Sequence, residues 1–515
     1  MATPAEKLAV SLEILRKLQN QKIVGIKATD LSRVHKDRLI EQGFIREVFK
    51  GWYISVPPDE KKGDSTSWYT SYWDFCFRYL QNRYQEDYCV SADQSLMIHA
   101  GNDAVPHQLI IRSKKGNNGL TTLLFGTTLF TMKSPLSELE TVEIHKGLRI
   151  LNLPSAIVYC SPSLFVSNPI DVRTAYSLIT DASPLLGILL DGGHSLKAGR
   201  IVGAFRNIGK DKIADTILKT MKSAGYDVRE IDPFEEKTLI SLSTWERSPY
   251  ENRIRLMWHE MRKTVISVFP KPTRTPLDKL AYLKQIEDIY ITDAYHSLSI
   301  EKYRVTPELI ERVKSGVWNA KENEADKKQR DAMAARGYWQ AYIAVKESVT
   351  KILDGQNAGK EADDAHSDWY RELFAPSVAV GLLKPSDLAG YRNHQVYIGQ
   401  SKHVPVNSDG IRMLMPVLFQ LLEEEEEASV RAVLGHFIFV FIHPYMDGNG
   451  RIGRFLMNVM LSSGGYPWTV IPVEERDSYM NALEQASVNQ NIEPFAKFIA
   501  YLVNASINGK PVAKI

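Results

Sequence analysis

The chain has 515 residues, is 44% hydrophobic and 24% charged, and carries a formal net charge of +2. That length exceeds one ordinary core and predicts two to four domains, while the near-neutral balance points to no partner. Three scattered cysteines, Cys76, Cys89 and Cys160, exclude a disulfide framework and suit a reducing cytosol. With no apolar leader core and no run near the roughly 18 residues of a membrane span, the expectation is a cytoplasmic protein with no membrane partner.

In chain order, Leu8, Leu12 and Leu15 alternate with Val10, Ile14 and Leu18 at helical spacing over 5–20. Thr29 or Asp30 can cap a short helix. A further helix spans about 34–42 and stops at Gly43. "FIREVFKGWYIS" then alternates around Lys50-Gly51, a hairpin signal. Three helices and a hairpin are the order of a winged helix-turn-helix over residues 1–62, a segment with 12 Lys/Arg against 8 Asp/Glu. Arg33, Lys36, Arg38, Arg46 and Lys50 cluster there. Arg33, Lys36, Arg38 and Lys50 are the candidate DNA contacts, with 34–42 in a major groove. A winged helix that binds protein or is purely structural is the competing reading.

Residues 63–165 form a strand-rich α+β region, with "HQLIIRS", "TTLLFGTTLFTM" and "TVEIHKGLRILNL" as short β runs. Residues 166–268 turn helical. The proline-rich 269–279 predicts a linker, and the chain beyond it is mostly helix. Thr306 caps a helix that starts at Pro307. Glu423 to Glu427 reads as a solvated helix face. "GYRNHQVYIGQSKHVPV" (390–406) alternates and predicts a hairpin.

The chemistry concentrates at 441–455, "FIHPYMDGNGRIGRF". A strongly apolar helix ends at His443-Pro444, because proline lacks an N–H and disfavours helix in the residue before it. A Gly-rich turn then feeds a new helix. Free N–H groups and the positive end of the helix dipole make such a turn an anion site. Arg451 and Arg454 lie three apart on one face, two guanidinium forks suited to a polyphosphate. Asp447 offers a hard oxygen for Mg²⁺, Asn449 can bond a phosphate oxygen, and His443 is the natural general base. No GxxxxGK[ST] and no HExxH occur.

"HPYMDGNGRIGR" (443–454) resembles the Fic-family signature at every defined position, with Tyr445 where Phe is commoner. The likeness extends over about 280–505 and implies a multidomain protein whose residues 280–515 form an all-α Fic domain with a β-hairpin flap. It implies transfer of AMP from ATP to a Ser, Thr or Tyr hydroxyl of a target protein. His443 would take the hydroxyl proton and Asp447 would hold Mg²⁺. Gly448, Asn449, Gly450, Arg451, Ile452, Gly453 and Arg454 would seat the phosphates. The flap, about 396–404 with Val396, Ile398, Gly399, Gln400, His403 and Val404, would dock the target by main-chain pairing.

Ser297 and Glu301, in "SLSIE", are similar to the family's inhibitory Ser-x-x-x-Glu, on a helix at about 292–302. Lys302 stands where Gly or Asn is expected. A glutamate on Arg454 would hold the fork meant for the γ-phosphate. The front half resembles antitoxin-like winged-helix regulators of the AbiEi kind. The expectation is therefore a self-inhibited protein adenylyltransferase joined to a DNA-binding regulatory region, with self-modification and a homodimer left open. The alternatives are transfer of UMP, phosphate or phosphocholine, removal of AMP, or a DNA-binding regulator that senses nucleotide through its Fic part. The intact His443 argues against the last.

Overall fold

The computed structural model describes residues 3–61, 63–138, 140–235, 248–272, 278–315 and 330–515. The chain is multidomain, with two compact units: Met1–Arg253 together with Tyr397–Val404, and Ile254–Val396 together with Pro405–Ile515. Among the described residues no helix is long and apolar enough to cross a membrane, and all three cysteines are free and buried.

The first unit opens with the helix Pro4–Asn20, started by a capping box between Thr3 and Glu6. Ala28–Asp30 is a single 3-10 turn and not the short α-helix expected, because the strand Ile26–Lys27 precedes it and Leu31 is extended. The cap of the helix Arg33–Glu41 is Ser32, whose hydroxyl accepts from the His35 N–H. Gly43 closes that helix at φ +74°, a left-handed conformation that costs glycine nothing. Ile45–Phe49 and Trp52–Ser55 pair antiparallel around Lys50-Gly51, and Ile26–Lys27 adds to the free edge of Trp52–Ser55. Leu15, Ile26, Leu31, Leu39, Ile45 and Tyr53 form the small core beneath.

The same unit continues with the aromatic helix Thr66–Tyr84, which packs on a second core shared with strands of a four-stranded sheet. Gln108–Ser113 and Thr128–Lys133 run parallel at its centre, with Cys89–Val90 and Gly119–Thr122 outside them. Helices follow from Pro169 to Ser223. Gly203 lets the extended chain lie against the helix Ser195–Asn207: a Cβ there would stand 2.0 Å from the Ile231 carbonyl oxygen.

The second unit is helical throughout its regular structure. Of the expected linker, 273–277 lie outside the described residues, while the Pro270 carbonyl accepts from the Tyr466 hydroxyl. The central hairpin is Ala428–Ile442 followed by Asn449–Ser463, both buried along nearly their whole length. Two expectations fail here. The glutamate run is not one solvated face: the helix ends at Glu424, and Glu425 is buried and accepts from Arg262 and Trp258. A buried carboxylate requires such partners. Nor does 390–406 form a β-hairpin, since no strand occurs there. Side chains hold its arms instead. Arg392 donates to the carbonyls of His394 and Val406, and Gln395 donates to that of Pro405. Pro405 itself has no N–H to give a ladder.

Candidate active site

His443 sits at the tip of the central helix, where its own N–H still bonds the Phe439 carbonyl at 3.0 Å. Its backbone is left-handed, φ 56° and ψ 60°, which turns the chain out of the helix before Pro444. The imidazole Nδ1 lies 3.3 Å from the Val440 carbonyl oxygen. A carbonyl only accepts, so the proton resides on Nδ1 and Nε2 keeps its lone pair. Burial pushes the imidazole pKa down to about 4; the Val440 contact opposes this, the Arg392 cation adds to it, and Glu301 and Asp447 oppose it. His443 is therefore neutral near pH 7, the form a base needs.

The turn after it is fastened by its own side chains. Asp447 Oδ1 accepts the Gly448 N–H at 2.6 Å. Gly448 is left-handed at φ +83°, and a Cβ there would stand 2.8 Å from the Phe374 ring. Tyr445 is buried and stacks on Tyr370 at 3.9 Å. The Asn449 side chain folds back on the turn. Its Oδ1 accepts from the Tyr445 N–H and its Nδ2 donates to the Tyr445 carbonyl. Both ends staple the turn, and the second Nδ2 hydrogen makes no hydrogen bond among the described residues. The Ile452 N–H returns to the Gly448 carbonyl at 2.9 Å, and those of Gly453 and Arg454 join the helix ladder. The open donors are thus the backbone N–H groups of Asn449, Gly450 and Arg451, the first turn of a helix with no side-chain cap.

Two buried guanidinium groups flank this turn. Arg454, 4% exposed, donates from Nε to Ser297 Oγ at 2.8 Å, and from Nη2 to the Ser297 carbonyl at 3.0 Å and Glu301 Oε1 at 2.9 Å. Its Nη1 makes no hydrogen bond of good geometry, with the Tyr479 hydroxyl beside the guanidinium. A Cβ on Gly450 would stand 2.3 Å from Glu301 Oε1, so the carboxylate packs against the first turn of this helix at Gly450. Arg451, 1% exposed, has its charge between the rings of Tyr303, 5.2 Å away, and Phe374, 5.0 Å away. Its Nη2 is 3.3 Å from Asp447 Oδ1, an ion pair without hydrogen-bond geometry, and Nε and Nη2 make no hydrogen bond. Buried, unsatisfied donors are expensive in a finished fold. Here they converge on one turn, which fits an anion as their missing partner.

Ser297 and Glu301 come from the last turn of the helix Lys279–Ile300 and its C-cap. Lys302 is left-handed at φ 66°; its N–H bonds the Ser299 carbonyl and the Tyr303 N–H bonds that of Leu298. That is a left-handed helix stop, the conformation glycine and asparagine adopt most easily. Lysine occupies it at a cost of about 1–2 kcal/mol.

For a divalent cation, no group of three or more His, Cys, Asp or Glu is found among the described residues. Asp447 is a lone carboxylate with its side chain 61% exposed. One carboxylate beside an anion-binding turn fits Mg²⁺, which takes most of its shell from phosphate oxygens and water.

The flap candidates divide. Val396 belongs to the second unit, whereas Ile398, Gly399, Gln400, His403 and Val404 belong to the first. There the Gln400 N–H donates to Thr66 Oγ1 at 3.1 Å and the Val105 N–H to the Lys402 carbonyl at 2.9 Å. The DNA candidates divide too. Lys50 is exposed in its hairpin turn. Arg33 and Lys36 each lie 3.5 Å from Asp37. Arg38 is turned inward: it donates to the Lys7 carbonyl and Ser11 Oγ, both at 2.9 Å. It joins two helices through Nη1. Sequence reasoning missed Arg392, Tyr303 and the buried Asp293, which accepts from the Tyr338 hydroxyl at 2.6 Å. None sits in a motif, although Asp293 precedes Ser297 by one helical turn.

An apolar helical hairpin with a half-buried imidazole at its tip, an open N–H turn and two buried arginines is an arrangement whose chemistry suits a phosphate-bearing ligand. Residues 364–461 match the model of the Fic/DOC family, and the C-terminal region of the chain carries a Fic domain. Over 125 residues the chain is 38% identical to the protein adenylyltransferase Fic of Drosophila ananassae and 36% identical to that of Drosophila melanogaster. These alignments cover 24% of this chain, and 24% and 25% of those proteins, so the chain spans about a quarter of the length of the curated relatives it matches. Among solved structures, Fic-1 (residues 134–508) of C. elegans aligns at a TM-score of 0.37 with 16% identity, covering 70% of this chain and 90% of that one.

Proposed function

We propose that this protein is an adenylyltransferase that moves AMP from ATP to a hydroxyl of a protein target and is held back by Glu301. The observation that carries the reading is the convergence of a neutral, half-buried His443, three open N–H groups and two under-satisfied arginines on one turn. Nε2 of His443 takes the proton of the incoming hydroxyl. The new bond joins that oxygen to the α-phosphorus, the α–β bridging bond breaks, and pyrophosphate leaves. The N–H groups of Asn449, Gly450 and Arg451 and the two guanidinium groups neutralise the phosphates, which is most of what such a transfer requires. Asp447 would hold Mg²⁺, which supplies further charge neutralisation. Glu301 occupies Arg454 and packs on Gly450, so a triphosphate must displace it.

Incubating the Glu301→Gly variant with each nucleoside triphosphate labelled on its α- or γ-phosphate tests this. Covalent α-label from ATP in a target or in the protein itself is expected. Label from UTP alone, or γ-label, would assign another transfer to the same scaffold. For residues 1–62 the reading is a winged-helix module, with a 3-10 turn in place of its second helix, that takes a DNA or protein partner. The exposed Val34 and Ile40 on Arg33–Glu41 and the inward Arg38 favour protein.

A further inference from the structure

Arg392 is 2% exposed and makes no ion pair with a carboxylate among the described residues. Burial lowers its pKa to about 10, and it remains a cation. Its four side-chain hydrogen bonds all go to backbone carbonyls. Nε donates to His443 at 2.8 Å, Nη1 to His394 at 2.9 Å, and Nη2 to Val406 and, at 3.5 Å, to Ile442. The Arg392 N–H donates to the Pro444 carbonyl at 2.9 Å. Main chain and side chain thus grip the carbonyls of both His443 and Pro444.

A left-handed non-glycine residue persists only where its surroundings over-determine it. At His443 the surroundings that bond the turn from outside the helix are those of Arg392. We propose that Arg392 is a positioning residue for the transfer: it fixes the left-handed turn that aims the His443 imidazole, and it ties that turn to both roots of the segment 394–406. A planar fork with five donors can span these carbonyls; an ammonium, a point charge on a flexible stem, cannot hold them in one plane. Three charged groups act on His443: the Arg392 cation, Glu301 and Asp447. The effect of Arg392 on the base therefore has two separable parts, geometry and charge.

This deepens the transferase reading and rests on it for its kinetic arm. In a Glu301→Gly background, Arg392→Gln and Arg392→Lys are compared for transfer, ATP binding, near-ultraviolet circular dichroism and the NMR titration of His443, assigned by loss of its signal in His443→Asn. Arg392→Lys is expected to lower kcat on the order of 10- to 100-fold with ATP affinity retained, because a misplaced base loses rate and not binding, and to leave the His443 titration where it was. Arg392→Gln is expected to lose rate as well and to move the titration to higher pH, since a cation beside the imidazole is gone. Transfer in Arg392→Lys at the parent rate, or rate losses that only follow the folded fraction, would reduce Arg392 to a folding residue and overturn the proposal. So would an unmoved His443 titration in Arg392→Gln. If the parent labels nothing with any nucleotide, the transferase reading fails by itself, and the titration still decides whether Arg392 governs the turn.

Discussion

Two helices of this chain carry a pair of basic residues three positions apart near their N-terminal end: Arg33 and Lys36 on Arg33–Glu41, and Arg451 and Arg454 on Asn449–Ser463. The spacing is the same and the physics is opposite. The first pair shares Asp37, and its arginine side chain is 91% exposed. Such pairs are worth little and tell little. The second pair is buried under two packed helices, one guanidinium clamped by Ser297 and Glu301 and the other held between aromatic rings, with donors left over on both. Water cannot complete those shells, so the unsatisfied donors mark where a ligand belongs.

The strongest way to break the contrast is at the base the second pair serves. His443→Ala is expected to reduce transfer on the order of 10²–10⁴-fold while ATP binding, measured by calorimetry, persists. The base works unprotonated, so transfer should hold as pH falls through 6.5, where an ordinary imidazole titrates, and fail only toward the lowered pKa of about 4. Glu301 raises that pKa, so the acid limb of a Glu301→Gly pH profile should lie lower still. His436 is also held neutral, its pKa lowered to about 3 by burial. Because the unfolded chain then binds more protons than the folded one between about 6.5 and 4, thermal stability should decline as pH falls across that window.

Next comes the clamp. Glu301→Gly is expected to raise transfer and self-labelling on the order of tenfold or more, as each 1.4 kcal/mol of lost competition is a factor of ten. Arg454→Ala should not mimic it, since it removes the clamp's partner and a phosphate donor together, and the double variant should be as poor as Arg454→Ala. Equal labelling by Glu301→Gly and the parent would make the clamp a structural contact only.

A smaller effect is expected at the helix stop. Lys302→Gly relieves a left-handed lysine by about 1 kcal/mol, which should seat Glu301 more firmly and slow basal transfer about fivefold. Faster transfer would show that the lysine itself steadies the clamp.

The smallest effects belong to the first pair. Arg33→Ala and Lys36→Ala should change stability by no more than about 0.5 kcal/mol, whereas Arg38→Ala, which breaks two inter-helix hydrogen bonds, should cost about 1–2 kcal/mol in a denaturant melt. If residues 1–62 bind DNA, removing Arg33, Lys36 and Lys50 should flatten the salt dependence of a mobility shift; no shift of any DNA at low salt would leave the protein-partner reading.

What the sequence determined by itself is what local chemistry dictates. His443-Pro444 must end a helix, Asp-Gly-Asn-Gly must turn, and the apolar runs on either side must be buried. The polyphosphate reading of Arg451 and Arg454 therefore needed no coordinates, nor did the Lys50-Gly51 hairpin or the helix from Pro307. Alternation misled at 390–406, because a strand exists only if another strand pairs with it, and Arg392 and Gln395 bind those carbonyls instead. Five glutamates in a row gave no sign that Glu425 would be buried under Arg262. Spacing put Arg38 among the DNA contacts, and only packing against Pro4–Asn20 turned it inward. The meeting of Glu301 with Arg454, 153 positions apart, the stacking of Arg451 on Tyr303 and the grip of Arg392 on His443 are all long-range. Such contacts arise where a chain closes on itself, and tertiary structure alone decided them.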